Sequence, residues 1–356
     1  MSKISFCFFL FFLNFSFSQG QNTPPTWQNS KHYVVDDTVK YTYSMILEDL
    51  TYLYVNFSEW VHPVSVGKSE FGLELATVRL GSEIPKKSAV FLVGNIHARE
   101  DFSSKMVMKF FNIYLLNLVN QDYTYPKAKR LLDSVDIYIM PVANPDGLKI
   151  AHLDFEGIQD SFDLYKDKIL LIDSYQEWKA NGKGIDLNAT FDDGNHHLKH
   201  GKNFHSIPCS EGYKGLLPAE PKETQAIQNF ITKTKPLVTV SFHTKGNVLY
   251  WADKGTHKRF KEIDTKINKK ISVASKFGLT TISKSPIIYG CGLENYIRAK
   301  HNRIATCVEL DSPKGGRVQS PDNEFNKRIW NKAWMIPYLY IENAVLYKKE
   351  ILKVGL

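Results

Sequence analysis

The sequence predicts an α/β sandwich around a largely parallel or mixed sheet, and three observations carry that prediction. Apolar runs of strand length alternate with longer segments whose apolar residues recur at helical spacing. The runs at 89–96, 237–242 and 304–308 are continuously apolar, as in strands covered on both faces. Each of the three ends at a residue fit for chemistry, His97, His243 or Glu309, and ligands bind at the carboxyl ends of strands in such folds.

The elements follow in chain order. Residues 19–36, with Pro24 and Pro25, read as an irregular leader. Helical spacing of apolar residues predicts a helix over 39–54, and apolar–polar alternation predicts a half-buried strand over 71–80. After the 89–96 strand comes an apolar-periodic helix over 102–119, then a strand over 135–140 and a loop over 141–147 rich in turn residues. Further helices are expected at 222–233 and 258–277, and another after Asp322. No internal repeat or linker divides the chain, so 356 residues suit one large domain.

The N-terminus reads differently. Met1-Ser-Lys3 precedes an apolar, phenylalanine-rich stretch to Phe17, followed by polar residues to Asn22. That stretch is short for a membrane span and suits a secretory signal peptide cut between Phe17 and Gln21, with an uncleaved anchor as the alternative. The expected organisation is therefore a signal peptide at 1–19, an N-terminal extension at 20–60 and a catalytic domain at 61–350, with the mature chain secreted or periplasmic. Three of the four cysteines, Cys209, Cys291 and Cys307, lie beyond the signal. They form no C-x-x-C pair, which argues against a cysteine zinc site, and Cys291 and Cys307 are available for a disulfide. The formal charge of +8 suits anionic partners such as wall polymers or acidic peptides, or simply a solvated basic surface. No basic run interleaved with aromatics points to nucleic acid.

His97-Ala98-Arg99-Glu100 is the most informative segment. An imidazole and a carboxylate three residues apart share one side of a helical turn and can bind one metal ion as neighbours. Zinc in hydrolases takes two His and one Glu and keeps a position for water. His243, at an equivalent strand end, is the candidate third ligand, and a satisfied core histidine is the competing reading. Glu309 is the candidate general base. The apolar residues before it raise a carboxylate's pKa, and next to an activated water it can take a proton and return it to a leaving amine. A capping or ion-paired glutamate is the alternative.

These residues occur in a particular order: His97-x-x-Glu100, Asn144-Pro-Asp-Gly147, Gly184-Ile-Asp-Leu-Asn188, Glu220-Pro221-x-Glu223-Thr224, Ser241-Phe-His243 and Glu309-Leu310. In that combination the chain resembles the zinc carboxypeptidases of the carboxypeptidase A-like family, over about residues 70–312. The resemblance implies an α/β/α sandwich on a mixed, mostly eight-stranded sheet. It also implies one Zn2+ per chain, with His97, Glu100 and His243 as ligands and Glu309 as general base and acid.

The departures are equally informative. The digestive members carry an arginine directly after the conserved asparagine to grip the substrate's terminal carboxylate, whereas Asn188 is followed here by Ala189. Their oxyanion arginine, in a Trp-Arg pair, corresponds to Trp178-Lys179, which keeps the charge and loses the bidentate fork. The chain is thereby more similar to a bacterial branch, the γ-D-glutamyl-diaminopimelate peptidases that cut peptidoglycan stem peptides. Arg99, Lys245 and Arg298 are the candidate anion contacts, with Asn188 also at the substrate. Tyr289 is the candidate mobile tyrosine over the site, with Tyr296 as runner-up. An ordinary metallocarboxypeptidase, a deacylase of the aspartoacylase type and a non-catalytic wall-binding protein are the competing functions.

Overall fold

The computed structural model describes residues 30–354, except 87, 121–126, 172–173, 201–203, 254–256, 282–284, 286–289 and 313–319. The signal segment and Tyr289 lie outside the described residues. Eight strands form one sheet in the order β1-β2-β4-β3-β5-β8-β6-β7. They are β1 Val61–Val64, β2 Thr77–Leu80, β3 Ala89–Val93, β4 Asp136–Met140, β5 Val238–Thr244, β6 Val248–Tyr250, β7 Gly278–Leu279 and β8 Ile304–Leu310. The central β4, β3, β5 and β8 run parallel, β1, β2 and β6 pair antiparallel to their inner neighbours, and β7 runs parallel to β6. The sheet is thus mixed and eight-stranded.

The period of two along each central strand sends alternate side chains to two cores. Val90, Leu92, Ile137, Ile139, Val238, Val240, Phe242 and Val308 belong to the larger one. It is built with helices α1 (Tyr43–Asn56), α2 (Asp101–Asn120), α3 (Ala128–Leu132), α7 (His257–Ser275) and α9 (Ile336–Leu346). Phe91, Val93, Tyr138 and Ala305 belong to the other, packed on α6 (Lys222–Thr234) and α8 (Leu293–His301). Two shorter helices, α4 (Pro145–Ala151) and α5 (Gln159–Asp163), form a smaller cluster with Trp178, and Leu148 of α4 reaches the larger core. This is the α/β/α sandwich. His243 and Glu309 alternate with the larger core's residues, so both face the α6–α8 side.

Four points add to or change the expectations. The 71–80 strand shortens to β2, because 71–76 forms turns anchored elsewhere: Asp146 accepts from Ser69 Oγ at 2.5 Å and from the Phe71 N–H at 2.9 Å. The 141–147 loop ends by starting α4, with Pro145 in the first turn and the Asn144 side chain accepting from the Gly147 N–H at 3.0 Å. The described part of the N-terminal extension packs into the core. Val35, Tyr41, Ile46 and Leu53 are buried in the larger core, and Asp37 pairs with Lys109 of α2. Finally, Cys209, Cys291 and Cys307 are free and buried, so the disulfide does not form. No helix among the described residues is long and apolar enough to cross a membrane.

Candidate zinc centre

The loop after β3 is shaped by backbone fit. A Cβ on Gly94 would lie 2.6 Å from the Pro141 carbonyl, and Asn95 adopts φ +52°. The Asn95 amide donates to the carbonyls of His97 and Ala98 at 3.1 and 3.0 Å, fixing the turn that carries the motif. Asn144 ties the neighbouring segments together by donating to the Ile96 and Ala180 carbonyls at 3.2 and 3.0 Å. The Ala98 N–H donates to the Lys179 carbonyl at 3.1 Å. The Asn-Pro-Asp-Gly block is therefore scaffold for the His97 loop and the Trp178-Lys179 segment.

The structure brings His97, Glu100 and His243 together, all buried. His97 Nδ1 lies 2.9 Å from Glu100 Oε1, and His243 Nδ1 lies 3.1 Å from His97 Nδ1 and 3.0 Å from Glu100 Oε2. Four-coordinate zinc with bonds of about 2.0–2.1 Å needs donor atoms about 3.3 Å apart, so the triad has the right size. Two imidazole nitrogens and a carboxylate oxygen converging away from water are also the donor chemistry zinc takes. His97 presents its other nitrogen, Nε2, to Asp186 Oδ1 at 3.4 Å, the kind of contact that fixes a ligand's tautomer and orientation.

Glu309 stands opposite His243 in the β5–β8 register. Burial pushes its carboxyl up to about 8, and the nearby Glu100 charge adds to the shift. Lys179 reaches the same corner, with Nζ 3.1 Å from Asp186 Oδ2 and 3.7 Å from Glu211 Oε1. Burial opposes its charge, but Asp186 and Glu211 outweigh burial and raise its pKa. In return, Lys179 and His97 hold Asp186 far below the usual carboxylate range despite burial.

The proposed substrate contacts fare differently. Arg99 is engaged by Glu211 at 3.1 and 3.3 Å and donates to the Glu177 carbonyl at 2.8 Å, so its charge is spent on the scaffold. Asn188 Oδ1 accepts from the Leu293 N–H at 3.1 Å and holds the start of α8. Arg298 is buried in α8 and is no surface charge: its Nε lies 3.1 Å from the Glu294 carbonyl and 3.3 Å from Asp253, while Nη1 has no hydrogen-bond partner among the described residues. Tyr296 is core: 6% exposed, it packs near Phe191 and its hydroxyl lies 3.0 Å from His301 Nε2. Lys245 is half-buried next to β5, and burial lowers its pKa. Sequence reasoning assigned no role to Asp186, although it lies inside the quoted Gly-x-Asp-x-Asn block. It missed Glu211, which no local pattern marks.

A two-histidine, one-glutamate triad at the carboxyl ends of parallel strands, with a buried acid alongside, defines a zinc-dependent hydrolase. The chain belongs to the zinc carboxypeptidase family, which it matches over residues 46–335. It is 25% identical over 231 residues to the gamma-D-glutamyl-L-diamino acid endopeptidase 1 of Lysinibacillus sphaericus, covering 64% of this chain and 54% of that one. It is 26% identical over 250 residues to the rat carboxypeptidase N catalytic chain, covering 67% and 48%. The chain spans about half the length of the curated relatives it matches. Among solved structures, thrombin activatable fibrinolysis inhibitor matches with a TM-score of 0.66 at 19% identity, covering 91% of this chain and 81% of that one. The carboxypeptidase A of Helicoverpa armigera matches with a TM-score of 0.64 at 18% identity, covering 90% and 77%. The family uses one zinc ion and comprises zinc metallopeptidases.

Proposed function

We propose that the protein is an exported peptidase that hydrolyses the amide bond between a γ-linked D-glutamyl residue and a diamino acid in peptidoglycan stem peptides. The observation that carries the reading is the intact His97, Glu100 and His243 triad beside Glu309, combined with a buried Ala189 where a terminal-carboxylate clamp would stand. The Lysinibacillus relative, named for such an activity, supports it. The apolar N-terminal stretch and the net charge of +8 agree with export toward an anionic wall polymer.

His97, Glu100 and His243 would hold the zinc, which when bound supplies Lewis-acid polarisation of the carbonyl and acidification of water. Asp186 keeps His97 oriented through Nε2. Glu309 takes a proton from the attacking water and returns it to the departing amine nitrogen, a role served by a carboxyl whose pKa lies near neutrality. Lys179, protonated and braced by Asp186 and Glu211, offers a fixed positive charge to the oxygen on which negative charge develops. Arg99 braces Glu211 from the other side.

Digestion of defined muropeptides by the zinc-loaded protein, with products identified by mass, tests the reading. A single cut between the γ-D-glutamyl residue and the diamino acid is expected. Stepwise release of C-terminal residues from ordinary peptides would instead establish a metallocarboxypeptidase, the activity named for the carboxypeptidase N relative.

A further inference from the structure

One of the ordered blocks, Glu220-Pro221-x-Glu223-Thr224, has no part in the chemistry so far. It leads into the first turn of α6, where Glu223 and Thr224 are both fully buried. Glu223 Oε2 accepts from Asn181 Nδ2 at 3.2 Å, and Oε1 accepts from the Glu70 N–H at 3.1 Å. The Thr224 hydroxyl lies 2.7 Å from that of Thr190. Thr190 donates to the Leu187 carbonyl at 2.8 Å, which makes Thr224 the donor to Thr190. The two side chains thus grip residues 181–190 at both ends, and Asp186 sits between the grips.

Asn181 connects the first grip to the zinc centre. Its Oδ1 accepts from the Lys183 and Ile185 N–H groups at 3.1 and 3.0 Å, and its backbone N–H donates to the Ile185 carbonyl at 2.9 Å. Its carbonyl accepts from Trp178 Nε1 at 3.2 Å. One side of this turn carries Lys179 and the other carries Asp186, the two members of the ion pair next to the triad. A shift of the turn therefore alters the Lys179–Asp186 separation and the already long 3.4 Å contact from Asp186 to His97 Nε2. Asp186 keeps a second anchor, because its N–H donates to the Tyr213 carbonyl at 2.6 Å. Loss of the Glu223 grip should accordingly displace the loop without unfolding it.

We propose that Glu223 is a positioning residue of this centre. Through Asn181 it sets the Lys179–Asp186 pair, and through Asp186 it sets the orientation of His97, while Thr224 holds the far end of the same loop.

Glu223→Gln tests this in the full chain. Either oxygen of a carboxyl, protonated or not, has a lone pair for an N–H, whereas an amide nitrogen has none. The variant can satisfy Asn181 Nδ2 or the Glu70 N–H, but not both. Competition against a chelator should show zinc affinity reduced by about tenfold, the low end for loss of a group that orients a ligating histidine. At saturating zinc, kcat for a γ-D-glutamyl-diaminopimelate peptide should fall about tenfold with KM within about twofold, since a misplaced fixed charge acts on the transition state. Turnover as a readout rests on the proposed hydrolysis of such peptides, whereas zinc affinity does not. Adding Asn181→Asp reverses the hydrogen bond: the new carboxylate accepts from the glutamine amide and still accepts from Lys183 and Ile185. This double variant should return zinc affinity to within about threefold of the unaltered protein, a rescue that lost packing would not produce. Unchanged zinc affinity in Glu223→Gln, or no recovery in the double variant, overturns the proposal. Should Glu223→Gln not fold, Thr224→Val takes its place. It removes one hydroxyl from the far grip and should weaken zinc binding about threefold, and an unchanged affinity there overturns the proposal as well. No turnover of the peptide by the unaltered protein refutes the proposed activity and leaves zinc affinity to decide on Glu223.

Discussion

Replacing Asp186 with Asn should weaken zinc binding by close to 100-fold while leaving the fold intact. Asp186 is 5% exposed and serves two partners, facing His97 Nε2 with Oδ1 at 3.4 Å and the Lys179 ammonium Nζ with Oδ2 at 3.1 Å. Loss of a carboxylate that orients a ligating histidine costs 10–100-fold in metal affinity, about 1.4–2.7 kcal/mol. Lys179 decides where in that range the variant falls. At an effective dielectric of about 20, its attraction to Asp186 is about 5 kcal/mol and that to Glu211 at 3.7 Å is about 4.5 kcal/mol. The neutral amide of the Asp186→Asn variant would therefore leave Lys179 with roughly half its compensation, next to a site that must accept a dication, which pushes the loss to the upper end. Adding Lys179→Met removes the repelling charge, so the double variant should bind zinc more tightly than Asp186→Asn alone. Competition against a chelator of known zinc affinity measures both, with circular dichroism as the control for folding. Zinc affinity within about threefold of the parent in Asp186→Asn, or no recovery in the double variant, would refute the reasoning.

Glu309→Gln should retain zinc by metal analysis while peptide hydrolysis falls by about 10²–10⁴-fold, the usual worth of a positioned acid–base group; full activity would remove Glu309 from the mechanism. Gly147→Ala should lower stability by about 1–3 kcal/mol in denaturant titration, because its Cβ would press to 2.4 Å from the Ala180 carbonyl within the Asn144 brace. Asp264 supplies a pH test. It is 1% exposed, and burial pushes its carboxyl from 3.8 up to about 8. The folded state therefore keeps a proton that the unfolded state releases, and stability falls as pH rises from about 4 toward about 8. Asp264→Asn, fixed in the neutral form, should gain on the parent by about 4 kcal/mol between pH 5 and pH 8, at 1.36 kcal/mol per unit. An equal effect of the substitution on stability at the two pH values would show that Asp264 is not the group responsible.

What the sequence revealed divides by the range of the interaction. The central strands were legible because burial on both faces leaves continuous apolar runs, and the triad because two of its members are three residues apart and the third ends another such run. Strands β6 and β7 at one end of the sheet, three and two residues long, carry no period that a pattern could register. Turn residues at 141–147 looked like a loop because the helix that follows is held by contacts outside it: Asp146 binds Ser69 and Phe71, and Asn144 binds Ile96 and Ala180. The partners of Arg99 and Arg298 were hidden for the same reason. A guanidinium at a site looks free in a sequence, and its partners, Glu211 for one and Asp253 for the other, are 112 and 45 positions away.

Pairing of charges also shows which groups build this centre. Arg99 and Lys179 share Glu211, Lys179 and His97 share Asp186, and Asn188 is occupied at the start of α8. These groups satisfy one another before any substrate arrives, which keeps the triad in place at little reorganisation cost when charge develops. Such preorganised cations contribute to rate but offer little discrimination among side chains, because a substrate carboxylate would have to displace Glu211 or Asp186 to claim them.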